Sequence, residues 1–101
     1  MRRGDLYRYQ PVLSRAGQSN VRLVVSADVV NASTTLPAVY AMHVVDSDPG
    51  SLLAVKIGDV GWAFAMEIDR PLRRRLVEHL GRATADELEQ VDNAIRAVYD
   101  V

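Results

Sequence analysis

Short apolar runs separated by polar turns occupy most of the first seventy residues. The central run, residues 21–25, contains three consecutive aliphatic side chains and predicts a strand covered on both faces. Alternating large and polar residues predict an earlier strand over residues 6–12. Because Pro11 lacks a backbone donor, this strand either ends there or runs along a sheet edge. Further apolar runs predict strands over residues 38–45, 51–57 and 62–68. The pattern therefore indicates about five strands joined by short loops.

The C-terminal segment has the pattern of an amphipathic helix. Thr84 and Glu87 stand three residues apart, as in a capping box at a helix N-terminus. Apolar residues then recur at helical spacing and predict one stripe that packs on the sheet: Leu88, Val91, Ile95 and Val98.

Two shorter helical segments are also predicted. Asp28 follows the central strand, and its carboxylate is a candidate N-cap for a helical turn over residues 29–31. Residues 73–80 predict a short helix that Gly81 ends.

Length and composition indicate one globular domain. The 101 residues are 49% hydrophobic and 25% charged, and they contain no cysteine, which excludes disulfides and thiolate metal sites. No apolar run approaches the roughly 18 residues of a membrane span. We therefore expect a single cytoplasmic domain over residues 1–101, without a membrane. Its fold should be mostly β with a C-terminal helix: a curled antiparallel sheet or a small SH3-like barrel.

Charge is unevenly distributed although the net charge is only −1. The N-terminal quarter is rich in arginine, whereas the C-terminal helix is rich in Asp and Glu. This asymmetry fits a polyanionic partner at one end, and it fits a dimer held by ion pairs equally well.

Few side chains are candidates for chemistry. The sequence contains no glycine-rich phosphate loop, metal-spaced cluster or recognisable Ser-His-Asp set. His43, in an apolar strand before Asp46, is a candidate proton shuttle, although a lone strand histidine is often only packed. Arg22 is either a functional group or a solvated strand end. The arginines at positions 70, 73, 74 and 75 could clamp phosphate or simply face solvent.

Several short motifs resemble those of MazF/PemK-type toxins in the MazF/CcdB superfamily of type II toxin–antitoxin systems. Near the N-terminus they are Arg3-Gly4-Asp5-Leu6-Tyr7 and the stretch over residues 23–31. Near the C-terminus they are Glu67-Ile68-Asp69-Arg70, residues 74–81 and the final helix.

The resemblance implies an SH3-like barrel that forms a homodimer and is neutralised by a small cognate antitoxin. It also implies an endoribonuclease, an mRNA interferase that cuts single-stranded RNA with neither a metal nor a cofactor. In such a reaction the ribose 2′-OH attacks its own phosphate, and an arginine steadies the developing charge. We expect the dimer interface to use residues 38–42 and part of the helix over residues 88–98.

The resemblance also implies site residues. The family arginine falls near Asn20, and Arg22 matches it after a two-residue shift that keeps the same strand face. The family threonine or serine falls near Asp46 and Ser47. The expected catalytic residues are Arg22 for phosphate charge, His43 with Asp46 for proton transfer, and Ser47. The expected RNA-binding residues are Arg15, Asn20 and Arg70.

A second reading of the same superfamily is a CcdB-like poison of DNA gyrase without catalytic activity. Residues 57–59 together with Trp62 favour it. In that reading, the C-terminal Tyr99, Asp100 and Val101 would contact gyrase.

Overall fold

The computed structural model describes all 101 residues, which form a six-stranded antiparallel sheet with one long helix against it. The elements, in chain order, are β1 (Asp5–Tyr9), β2 (Val21–Val24), α1 (Asp28–Asn31), β3 (Ala41–Val45), β4 (Ala54–Ile57), β5 (Gly61–Asp69), β6 (Leu76–Arg82) and α2 (Ala85–Tyr99). The strand order is β4-β5-β3-β2-β1-β6. The predicted class, mostly β with a C-terminal helix, is confirmed, but the sheet is open rather than closed into a barrel. Neither helix combines the length and apolarity required to cross a membrane.

The predicted helix over residues 73–80 is wrong. Only Arg73–Arg75 turn helically, as a single 3₁₀ turn, and the chain then extends into β6. β6 pairs with β1 along its length, and His79 lies opposite Tyr7. Cross-strand pairing with a distant segment therefore outweighs the local helical spacing.

The expected N-cap role of Asp28 is also wrong. Ala27 occupies the N-cap position, and Asp28 is the first helical residue. The Asp28 carboxylate accepts hydrogen bonds from the backbone N–H of Arg3, at 2.6 Å, and from the Asn31 side chain, at 3.2 Å. Asp28 thus ties the N-terminus to α1.

Helix α2 begins as the sequence predicts and covers one face of the sheet. Thr84 and Glu87 form both hydrogen bonds of the capping box. Val91 and Ala94 are buried in a core with residues of the central strands, among them Leu23 and Met42. The predicted apolar stripe is confirmed, since its other members pack against this core: Leu88, Ile95 and Val98.

The dimer interface expected at residues 38–42 is contradicted by the packing of the chain on itself. Ala38, Val39, Ala41 and Met42 are buried within one protomer, and only Tyr40 in this stretch is exposed. Apolar side chains that fill a protomer's own core are not available to a second copy.

Replacing Thr84 with Ala should lower the free energy of unfolding by about 1 kcal/mol, because the Glu87 N–H loses its side-chain acceptor. Urea denaturation monitored by circular dichroism measures the change. Thr34→Ala, in an exposed turn, is the matched control and should have little effect.

The alternation of side chains along each strand divides the sheet into two faces. Leu23 and Met42 point towards α2, so their neighbours Arg22 and His43 point to the opposite side. We call this side the distal face. Arg22 lies opposite His43 on one flank and Tyr7 on the other, which brings polar side chains of three strands into one row.

Candidate functional site

Five side chains from four strands meet on the distal face, and we call them the His43 cluster: Tyr9, Arg22, His43, Glu67 and Asp69. His43 is its centre. The His43 Nε2 atom lies 2.9 Å from Asp69 Oδ2, and Nδ1 lies 3.3 Å from Glu67 Oε2. The His43 side chain is 22% exposed, so it is held by two carboxylates and still reaches solvent.

Arg22 lies buried beneath the other side chains of the cluster and is not a solvated strand end. Its side chain is 2% exposed, and Nε lies 3.4 Å from Asp69 Oδ2. Nη1 donates to the backbone oxygens of Ser19 and Val21, at 2.9 and 3.1 Å. The guanidinium carbon lies 4.5 Å from the centroid of the Tyr9 ring, within the range of a cation–π contact. These contacts enclose the Arg22 side chain almost completely.

Asp69 is the charge that joins His43 to Arg22. Partial burial alone would raise the pKa of Asp69, but the hydrogen bond with His43 and the charge of Arg22 outweigh it and hold the pKa below its ordinary value. Asp69 is therefore ionised at neutral pH. Each ring nitrogen of His43 faces a carboxylate, so a protonated imidazole can donate to Asp69 and Glu67 at once.

The lowered pKa of Asp69 predicts a pH dependence of stability. A carboxyl whose pKa is lower in the folded state stabilises the fold above its unfolded value, 3.8, and loses that contribution as the pH falls through its folded pKa. Asp69→Asn should therefore lower stability at pH 7 and flatten the loss of stability below pH 3.8. Urea denaturation from pH 2 to 7 measures both effects. Glu89→Gln, an exposed carboxylate on α2, should leave the profile unchanged.

A cleft of about 370 Å³ adjoins the cluster where β2 begins and β3 ends. We call it the loop cleft; it is lined by the end of the β1–β2 loop, the first residue of β2, the end of β3 with the residue that follows it, and one residue of the β4–β5 turn: Gly17, Gln18, Ser19, Asn20, Val21, Val44, Val45, Asp46 and Val60. Asn20 and Asp46 are positions to which the family resemblance assigns catalytic side chains, and both line this cleft.

Ser19 connects the loop cleft to the His43 cluster. It lines the cleft, its carbonyl oxygen accepts from Arg22, and its hydroxyl donates to the Val44 carbonyl oxygen. Along β3, His43 precedes Asp46 by about 10 Å of extended chain. The cluster and the cleft are therefore neighbouring parts of one region.

The other expected site residues lie around this region or away from it. Ser47 directly follows Asp46 in the turn after β3, and Arg15 and Arg70 are exposed, beside the cleft loop and beside Asp69. Arg73 is not a phosphate clamp, because its guanidinium donates to three carbonyl oxygens: those of Val30, Asn31 and Leu36. Tyr99 and Val101 are exposed at the far end of α2. No group of three or more His, Cys, Asp or Glu side chains is placed to hold a metal ion.

Sequence reasoning missed Tyr9, Glu67 and Asp69 as members of the site. The signal for the two carboxylates was present, since Glu67 and Asp69 are two residues apart and such spacing places side chains on one face of a strand. Their partner His43 is distant in the sequence, and only the pairing of β3 with β5 brings them together.

Comparisons with known proteins give a consistent structural result. The sequence matches no family model and no curated protein sequence. The structure is similar to an endoribonuclease from a Mycobacterial species, with a TM-score of 0.82 at 20% identity over 100% of this chain and 92% of that one. It is also similar to an endoribonuclease in complex with its cognate antitoxin, again from a Mycobacterial species, with a TM-score of 0.84 at 19% identity over 100% and 96% of the two chains.

A third structure is MazE–MazF from Deinococcus radiodurans, with a TM-score of 0.81 at 21% identity over 100% of this chain and 96% of that one. The similarity covers these chains almost completely. The chain therefore has the MazF fold.

Proposed function

We propose that this chain, which has the fold of MazF endoribonucleases, is the toxin of a type II toxin–antitoxin system. It cleaves single-stranded mRNA in the cytoplasm without a metal and so inhibits growth. The observation that carries the proposal is the meeting of Asn20 and Asp46 in one cleft beside a histidine held by two carboxylates. Neither the structure nor the structural neighbours favour the gyrase alternative.

The proposed reaction is an internal transesterification of the RNA backbone. The 2′-oxygen forms a bond to the adjacent phosphorus, and the bond from phosphorus to the 5′-oxygen of the next nucleotide breaks. Asp46 in the loop cleft accepts the 2′-OH proton, and the His43 imidazolium donates a proton to the leaving 5′-oxygen. The products are a 2′,3′-cyclic phosphate and a free 5′-hydroxyl.

The remaining residues bind the substrate or hold the catalytic groups. Asn20 in the cleft and Ser47, which follows Asp46 in the adjacent turn, supply neutral hydrogen-bond donors. Arg15 and Arg70 are exposed and attract the phosphates that flank the cleavage point. Arg22 acts indirectly. Its positive charge balances the negative charge of Asp69, which orients His43, and its guanidinium holds the Ser19 carbonyl at the cleft wall.

Incubation of the purified protein with a long messenger RNA in EDTA tests this function. We expect discrete fragments with 2′,3′-cyclic phosphate and 5′-hydroxyl ends, and a loss of at least about 100-fold in rate for Asp46→Asn. Asp86→Asn, an exposed carboxylate on α2, is the matched control. Intact RNA after incubation with the wild-type protein would reject the endoribonuclease proposal.

The proposal includes two protein partners. A cognate antitoxin would suppress the activity, as the complexes among the structural neighbours suggest. A homodimer should give a mass of about twice 11.2 kDa by light scattering. A folded, active monomer at micromolar concentration would contradict the dimer and leave the catalytic proposal standing.

A further inference from the structure

A second cleft, of about 290 Å³, lies at the turn between β4 and β5. We call it the turn cleft; it is lined by Asp46, Lys56, Gly58, Asp59, Val60, Gly61 and Trp62. Asp46 and Val60 also line the loop cleft. The two clefts are therefore adjacent, so that a chain bound in one can continue into the other.

The side chains of the turn cleft suit a nucleobase better than a phosphate. The Trp62 ring is partly exposed and provides a stacking surface, with Lys56 Nζ 5.6 Å from its centroid. Asp46 and Asp59 contribute two carboxylates, which repel a phosphate or an acidic peptide but accept hydrogen bonds from base N–H groups. Lys56 is exposed at the rim, where it can meet the backbone of the same nucleotide.

The carboxylates also discriminate among the bases. Guanine presents N1–H and the N2 amino group side by side, so one carboxylate accepts two parallel hydrogen bonds. Uracil presents a single N–H between two carbonyl oxygens, and these oxygens repel the oxygens of a carboxylate. Adenine and cytosine lie between these extremes, because each offers an amino group next to an acceptor nitrogen.

The turn that forms this cleft is fixed at both ends. The Gly58 N–H donates to Glu87 Oε2 at 2.7 Å, which ties the turn to the start of α2. A Cβ atom on Gly61 would lie 2.3 Å from the Val45 carbonyl oxygen, so the turn packs directly on β3. A cleft held in this way needs little ordering when a ligand binds.

We propose that the turn cleft binds one unpaired base next to the cleaved phosphate and that it selects guanine. Trp62 stacks on the base, and Asp59 accepts from its N1–H and N2 amino group. This inference rests on the proposed endoribonuclease function and adds a specificity site to it.

Trp62 is the only tryptophan, so its fluorescence reports directly on the cleft. The probes are heptanucleotides with 2′-deoxy sugars throughout, which lack the attacking hydroxyl at every linkage, and they are identical except that the central base is G, A, C or U. We expect quenching by all four, with Kd for the G probe at least about tenfold lower than for the U probe. Asp59→Asn should reduce this preference, whereas Tyr99→Leu, an exposed aromatic on α2, should leave it unchanged.

Cleavage of a randomised RNA pool provides the second readout. We expect guanine at one fixed position beside the cut for the wild type, and loss of that preference in Asp59→Asn. Equal affinities for the four probes, or an unchanged cleavage pattern in Asp59→Asn, would overturn the inference while wild-type cleavage upholds the function. Selective binding of the G probe without RNA cleavage would instead support the guanine site and reject the endoribonuclease.

Discussion

Replacing His43 with Gln should lower kcat/KM for RNA cleavage by about 100- to 10,000-fold, the usual contribution of a positioned proton donor or acceptor. Glutamine has a similar reach and can still donate to a carboxylate, but it does not exchange a proton near neutral pH. Thermal unfolding should change little because His43 is partly exposed. Single-turnover cleavage of a defined RNA gives the rate, and circular dichroism checks the fold.

His79 provides the matched control. It is the other histidine of the chain, it lies on β6 with its side chain 52% exposed, and it contacts Asp5 and the Tyr7 ring. His79→Gln should keep the rate within about twofold of wild type. Equal losses in the two variants, or a fully active His43→Gln, would remove His43 from the reaction.

Arg22→Ala should lower the free energy of unfolding by roughly 3–5 kcal/mol, as when one partner of a buried charge network is removed. The substitution abolishes the contact with Asp69, leaves the carbonyl oxygens of Ser19 and Val21 without their donor, and uncovers the Tyr9 ring. A small domain has only about 5–15 kcal/mol of stability in total, so we expect a large part of the variant to be unfolded at 37 °C. Urea denaturation at 15 °C measures the effect.

Two variants separate the shape of Arg22 from its charge. Arg22→Lys keeps the charge but not the planar fork, so we expect a loss of stability smaller than that of Arg22→Ala but still above about 1 kcal/mol. Arg74→Ala, an exposed arginine, should change stability by less than about 0.5 kcal/mol. A loss below about 1 kcal/mol in Arg22→Ala would contradict the buried network.

Elements with local signals could be predicted from the sequence. The apolar run at Leu23 gives β2, and the spacing of Thr84 and Glu87 gives the start of α2. β6 could not be predicted, because its extended form depends on pairing with β1 at the other end of the chain. The open sheet likewise follows from strand order, which no local pattern encodes.

The candidate site likewise has residues that local signals indicate and contacts that depend on distant strands. His43 and Asp46 could be selected as polar groups in or beside an apolar strand. The contact between His43 and Asp69, and the burial of Arg22, could not be read from the sequence, because both depend on strands that are adjacent only in the folded sheet. A charged residue at a strand entrance is normally solvated, and here the neighbouring strands enclose it.

The pairing of β1 with β6 has a consequence for the synthesis of the protein. The first strand leaves the ribosome early, but one of its two partners emerges only when nearly the whole chain has been made. α2, which covers the core, is later still. Such long-range pairing folds slowly and after most of the chain is available. For the proposed toxin, the sheet that carries His43 would be completed only at the end of translation, so an unfinished chain would not damage the messenger that encodes it.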